Sequence, residues 1–225
     1  MSARKPEGPI ESTKWPRSIE ARVVDAGATP RLRGFALRQD LATNYSFPEV
    51  LLLSMTGALP TREASKLFNV VMISLGDNSL ADAGTHAALL ARITGARMAS
   101  AASIVGIVAA EEGMLLARAY ASLNEAGPRS GLLRPGTTQE RGAVRALTSA
   151  AKSVAPRLSK VPAQLSLLGV HAALLGACGL QHEWQFVNVS MLARSTVALA
   201  EAYDRPPPSF TEYPMDQPAF RYRGK

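Results

Sequence analysis

Residues 99–125 are dense in Ala and Gly and carry Ile104, Val105, Ile107, Val108, Leu115 and Leu116 at positions that wind nearly all the way round a helix. A helix that is apolar on every side has to be enclosed by other helices, and small residues let the neighbouring axes come close. This one segment therefore commits the chain to a bundle in which it is the central member.

The rest of the chain supplies the partners. Ser46 with Glu49 three residues on forms a capping box, Pro48 falls in the first turn, and Val50 to Leu53 provide the apolar run of a helix that Gly57 and Pro60 end. Thr61 is placed to cap a second helix through Leu75, with Leu67, Val70, Val71 and Ser74 sharing a face at helical spacing. Further helices are predicted over 82–94, 138–154, 163–177 and 182–204, separated by the loop Gly76 to Ser79 and by Gly- and Pro-rich connections around 127–136 and 156–162. A brief alternation over 19–26 predicts a short strand or extended lead-in, and residues 1–18, with four Pro or Gly and no period, predict a mobile arm. With no strand-rich region and no repeat, the fold class is all-α.

At 225 residues and 47% hydrophobic content the chain can bury one substantial core. Its net charge of +7 is scattered rather than gathered into a stripe with interleaved aromatics, which argues against nucleic acid and suits an anionic small ligand. Cys178 is the single cysteine, so neither a disulfide framework nor a zinc site is expected, and a buried apolar role fits it best. No charged leader precedes an apolar run, and no uninterrupted apolar stretch approaches the roughly 18 residues of a membrane span; a cytoplasmic protein without a membrane partner is expected.

Three nearby texts carry a resemblance: Arg31-Leu-Arg-Gly-Phe35, Asn44-Tyr-Ser-Phe-Pro-Glu-Val50 and Thr56-Gly-Ala-Leu-Pro-Thr61. Together they resemble the opening of the citrate synthase and citryl-CoA lyase superfamily, which includes the lyase domain of ATP-citrate lyases, where such text marks the first helices of the core. Weaker similarities follow in order: Ser74 to Ser79 with Ala83-Gly-Thr-His86 and Arg92, then Gly106 to Ala119, Asn188 to Asp204 around Leu192-Ala-Arg-Ser195, and Phe220 to Gly224. The resemblance implies a citrate-synthase-like helical core over 19–225, and residues 127–160 would be a reduced small-domain segment.

It also implies chemistry at a CoA thioester, making or breaking a carbon–carbon bond with a ketoacid. That reaction needs a carboxylate, donors for an enolate oxygen, and cations for carboxylates. The synthases use an Asp and two His, and this chain changes each position. Gln164 stands where the family has its catalytic Asp, Glu111 where its "HGGA" has His, and Asp77-Asn78 where it has Asp-His; no His lies between Gly127 and Arg145.

The residues left to carry catalysis are Glu111, His86 and Asp77, with Arg92, Arg194 and Gln164 for substrate binding. Glu111 falls between Ile107 and Leu115 on an apolar stripe, where desolvation would raise its pKa; alternatively it pairs with an Arg or caps a helix. His86 either polarises a carbonyl or is a satisfied core residue, and His171, flanked by apolar residues, reads as a hydrogen-bonded core histidine. Arg92 and Arg194 either hold a substrate carboxylate bidentately or pair with Glu111, Glu112 or Glu201.

Two functions follow: an enzyme acting on an acyl-CoA and a small carboxylate or ketoacid, or a catalytically silent helical subunit that completes an active relative. The resemblance implies a homodimer or higher homo-oligomer. It implies no metal or redox cofactor, CoA being part of the substrate.

Overall fold

The computed structural model describes residues 20–125, 133–134, 137–162 and 164–204. The arm expected over 1–18 and the terminal similarity at Phe220 to Gly224 lie outside them. Three two-residue strands open the described chain, β1 (Val24–Asp25), β2 (Arg31–Leu32) and β3 (Phe35–Ala36), paired antiparallel in that order. Leu32 faces Phe35 across a two-residue turn in which Arg33 and Gly34 both have positive φ, 50° and 88°. Positive φ at both central residues is the primed turn that matches strand twist, and glycine adopts it without strain. The Arg-Leu-Arg-Gly-Phe text, expected to mark a first helix, is thus a hairpin. A π-helical turn (Leu37–Leu41) and a single turn α1 (Ala42–Asn44) follow it.

The bundle itself consists of α2 (Phe47–Thr56), α3 (Arg62–Leu75), α4 (Ala83–Ile93), α5 (Met98–Glu125), α6 (Thr138–Val154), α7 (Leu167–Ala177) and α8 (Glu183–Tyr203). The caps do what their chemistry allows. The Glu49 carboxylate accepts from the Ser46 N–H at 2.8 Å and from its hydroxyl at 2.6 Å, which holds the Glu49 pKa below its usual value. Thr61 and Thr137 accept from the third residue beyond them, Ala64 and Glu140. Gly57, with φ of 82°, closes α2 in the left-handed conformation.

The expected helix over 163–177 begins later, at Leu167. Ser166 caps it by accepting from the Gly169 N–H at 3.1 Å, and Glu140 of α6 reaches across to accept from the Leu167 N–H at 2.9 Å. Two of the orphan donors of that helix start, the Leu167 and Gly169 N–H groups, are satisfied there.

The main core joins α2, α3, α5, α6, α7 and α8 around Phe68, Phe186, Leu116, Leu174 and Leu175, with Tyr120 tilted against Phe186 at 5.1 Å between ring centroids. Leu147 and Ala151 of α6 belong to it, so this part of the expected small-domain segment is built into the same core. Gln185, 3% exposed, ties α8 to α2: its Oε1 accepts from the Gln181 and His182 N–H groups and its Nε2 donates to the Met55 carbonyl at 2.8 Å. Cys178 is buried, with its thiol pushed up to about 12 by desolvation.

Helix α5 packs against α8, α4 and α7, as its composition requires, but it is less enclosed than expected. Ile104, Ile107 and Leu115 are exposed, Ile107 by 62%. By length and composition alone α5 is long and apolar enough to cross a membrane, although charged residues such as Glu111 and Glu112 interrupt its apolar run. Only 28% of that apolar stretch is buried within the bundle.

Candidate functional site

Where α3, α5, α7 and α8 meet, a cleft of about 230 Å³ is walled by Leu75, Leu115, Leu116, Leu167 and Leu168, with Glu112, His171 and Arg194 as its polar members. Each polar side chain is placed by its helix. Glu112 lies three residues beyond Ala109 and four before Leu116, on the buried side of α5. Arg194, on the inner side of α8, brings its Nε within 2.9 Å of Glu112 Oε2. That contact is a close charge pair rather than an aligned hydrogen bond.

The guanidinium is fixed from a second direction. Arg194 Nη1 donates to Asn78 Oδ1 at 2.7 Å, and the Asn78 amide donates back to the Arg194 carbonyl at 3.0 Å. Asn78 can do this because α3 has ended at Gly76 and the following loop runs across α8. Among the described residues nothing accepts from Arg194 Nη2 and nothing donates to Glu112 Oε1. His171, 4% exposed, shares a hydrogen bond of 2.8 Å with Ser74 Oγ through its Nε2.

Burial raises the Glu112 pKa, the Arg194 charge opposes the rise, and Asp82 adds to it. His171 moves the other way: burial lowers its pKa to about 4, and the nearby Arg194 charge contributes. The imidazole is therefore neutral at physiological pH, available as a hydrogen-bond group and not as a cation.

A stability consequence follows with a definite sign. Between pH 6.5 and about 4 the unfolded chain holds the His171 proton and the native one does not, so stability falls with pH across that window and levels off below it. The shift corresponds to about 3 kcal/mol. Chemical denaturation at a series of pH values should show this loss, and His171→Gln, which cannot titrate there, should flatten it.

No protein-family model matches this sequence, and no curated protein matches it significantly. Solved structures do match. A citryl-CoA lyase from Hydrogenobacter thermophilus superposes with a TM-score of 0.65 at 16% identity, over 93% of this chain and 96% of the lyase. This chain has a citryl-CoA lyase fold. Two ATP citrate lyases agree: that of Methanothrix soehngenii in complex with citrate and coenzyme A, with a TM-score of 0.60, and that of Methanosaeta concilii in complex with (3S)-citryl-CoA, with 0.62. Each is 16% identical, and the match covers 90% and 89% of this chain but 42% of theirs.

Within this lyase fold, one of the six site residues expected from the sequence, Arg194, borders the cleft. Glu111 does not: it is exposed on the outer side of α5 with Ile107, so the desolvation expected for it falls on Glu112 instead. Successive residues on a helix are about 100° apart, and the side that carries Ile107 and Glu111 turned out to be the outer one.

Asp77 is exposed beside an apolar groove between α3 and α6, and His86 is exposed in the first turn of α4. Gln164 is exposed, with φ of 68° in the loop before α7. Arg92 is committed elsewhere, donating from Nη1 to the Ala202 carbonyl near the end of α8 and lying 4.6 Å from the Tyr203 ring centroid. A cation at a helix C-terminus offsets its partial negative charge, so Arg92 serves the fold there.

Glu112, His171, Asn78 and Ser74 were the residues that sequence reasoning did not place at the site, His171 having been read as a hydrogen-bonded core histidine. The signal for Glu112 was present in the alternative stripe Val105, Ala109, Leu116, which is built of buried residues. For Asn78 and Ser74 the partners lie 116 and 97 residues away in the chain, and no local pattern announces them.

Proposed function

We propose that this chain makes or breaks a carbon–carbon bond next to a CoA thioester, as a citryl-CoA-lyase-like or citrate-synthase-like enzyme, in the cleft between α3, α5, α7 and α8. The observation that carries this is a half-buried carboxylate of raised pKa, Glu112, beside an arginine with an uncommitted Nη2 and a neutral histidine, in an otherwise leucine-lined cleft. The fold match supports it, since the relatives of that fold are lyases and one is in complex with citrate and coenzyme A.

In the bond-forming direction the Glu112 carboxylate takes a proton from the carbon next to the thioester carbonyl. The resulting enolate attacks the keto carbon of the partner acid, whose oxygen becomes an alkoxide and takes a proton from solvent; in cleavage that hydroxyl first gives its proton back to solvent. Cleavage runs the same path backwards: the carbon–carbon electrons pass to the thioester oxygen, and Glu112 in its acid form returns the proton to carbon. Neutral His171, accepting at Nε2 from the Ser74 hydroxyl, is free to donate from Nδ1 to the developing oxyanion, and Arg194 holds the carboxylate of the acid through Nη2. CoA enters as part of the substrate, with no metal or redox group in these steps. We place the activity in the cytoplasm.

A homodimer through the outer side of α5 fits this reading. Exposed Ile104 and Ile107 lie there with Glu111 and Arg118 seven residues apart, so two copies related by a two-fold axis would pair Glu111 with Arg118 twice. The second reading, a silent subunit, is favoured by the positions of Asp77, His86 and Gln164 outside the cleft. Isolation as a homo-oligomer with turnover of its own would refute it.

The deciding experiment incubates the purified full chain with acetyl-CoA in D2O and, separately, with citryl-CoA. Deuterium entering the thioester's α-carbon, read by mass spectrometry, is the expected result, and cleavage of citryl-CoA would carry the proposal as well. The absence of both would end the enzymatic proposal.

A further inference from the structure

The charge balance of the cleft constrains what it takes, on the reading that its ligand sits against Arg194. Its described lining contains one cation, Arg194, and one anion, Glu112, held together at 2.9 Å, and its histidine is neutral; five leucines make up the rest. A tricarboxylate would bring about three negative charges, of which Arg194 Nη2 can meet one. The others would be desolvated against leucine side chains or face the Glu112 carboxylate.

Sites that hold polycarboxylates answer with several convergent donors, Arg forks above all. The other arginine considered for that duty is unsuited: Arg92 is bound to the end of α8, and no further arginine lines the cleft among the described residues. The volume of about 230 Å³ is also below the roughly 300–1,000 Å³ of clefts that enclose drug-sized ligands.

We infer that the acid recognised in this cleft is a monocarboxylate with a short aliphatic chain, its carboxylate on Arg194 and its chain among Leu115, Leu116, Leu167 and Leu168, rather than a polycarboxylate such as citrate. This deepens the proposed function by naming its acid partner, and it rests on that proposal's placement of the ligand.

The test is calorimetric titration of the full-length protein at fixed ionic strength with 4-methyl-2-oxopentanoate, a branched monocarboxylic ketoacid, and with citrate. The ketoacid is expected to bind at least about tenfold more tightly. Leu168→Asn is expected to remove most of that preference, with thermal unfolding confirming that the variant is folded. Tighter binding of citrate, or equal binding of the two, overturns the inference. Binding of neither overturns it as well. The carbon–carbon reading is judged separately by the deuterium exchange at acetyl-CoA, which needs no acid partner, so its failure is told apart from this one.

Discussion

Glu112→Gln is expected to lower α-proton exchange and turnover by about three orders of magnitude while leaving the protein folded, the scale of loss seen when a positioned general base is removed. Glutamine keeps the shape and can still approach Arg194, but it cannot accept a proton near neutral pH. The lost ion pair itself costs little, about 1 kcal/mol, because both side chains retain partial contact with water. Glu111→Gln is the matched control. That carboxylate is one residue away and exposed, so its loss should change neither turnover nor fold.

The pH dependence gives a second readout of the same group. Because burial raises the Glu112 pKa, rates that need the carboxylate should fall as pH drops through a value above that of an ordinary glutamate. In Glu112→Gln that acid limb should disappear. A variant with unchanged exchange and an unchanged profile would remove Glu112 from the mechanism and leave its pair with Arg194 as an interhelical tie.

The second large effect lies one residue further along α5. A Cβ built on Gly113 would stand 2.5 Å from the Val187 Cα, 3.0 Å from the Phe186 carbonyl and 3.1 Å from the Ser190 Cβ. Backbone cannot step aside as the end of a flexible side chain can. Gly113→Ala should therefore push α5 and α8 apart and cost about 2–3 kcal/mol, even after the helix propensity gained from alanine. At about 2–4 °C per kcal/mol for a chain of this size, thermal unfolding should drop by roughly 5–10 °C.

Gly106→Ala on the same helix makes the contrast. Its nearest neighbour is the Met191 Cε at 3.7 Å, ordinary contact, so this variant should be neutral or slightly stabilised. A Gly113→Ala protein as stable as wild type would mean that α5 and α8 do not approach so closely. The same displacement would draw Glu112 away from Arg194, since their 2.9 Å contact bridges these two helices, and activity should fall with stability.

Helix existence and most helix ends were legible because they depend on short-range chemistry. Ser46 with Glu49 and Thr61 announce their helices within three residues, and the structure starts those helices at Phe47 and Arg62 and the one predicted from 138 at Thr138. The hairpin at Arg31–Ala36 was missed because two residues per strand leave no alternation to detect, and its turn is decided by backbone conformation at Arg33 and Gly34. The start at Leu167 was missed because Glu140, from another helix, supplies part of the cap.

By itself the sequence determined an all-α bundle around one long apolar helix, a lone buried cysteine, and Arg194 as a residue that meets either a carboxylate ligand or a glutamate. Periodicity and capping are local, so they survive in the text of the chain. Only the tertiary structure decided which side of α5 faces inward, and with it that Glu112 rather than Glu111 loses water and gains Arg194 as a partner. That choice rests on where α8 can come within reach of Gly113, a contact between residues more than seventy positions apart, and a one-residue change of register on a helix turns a buried group into an exposed one.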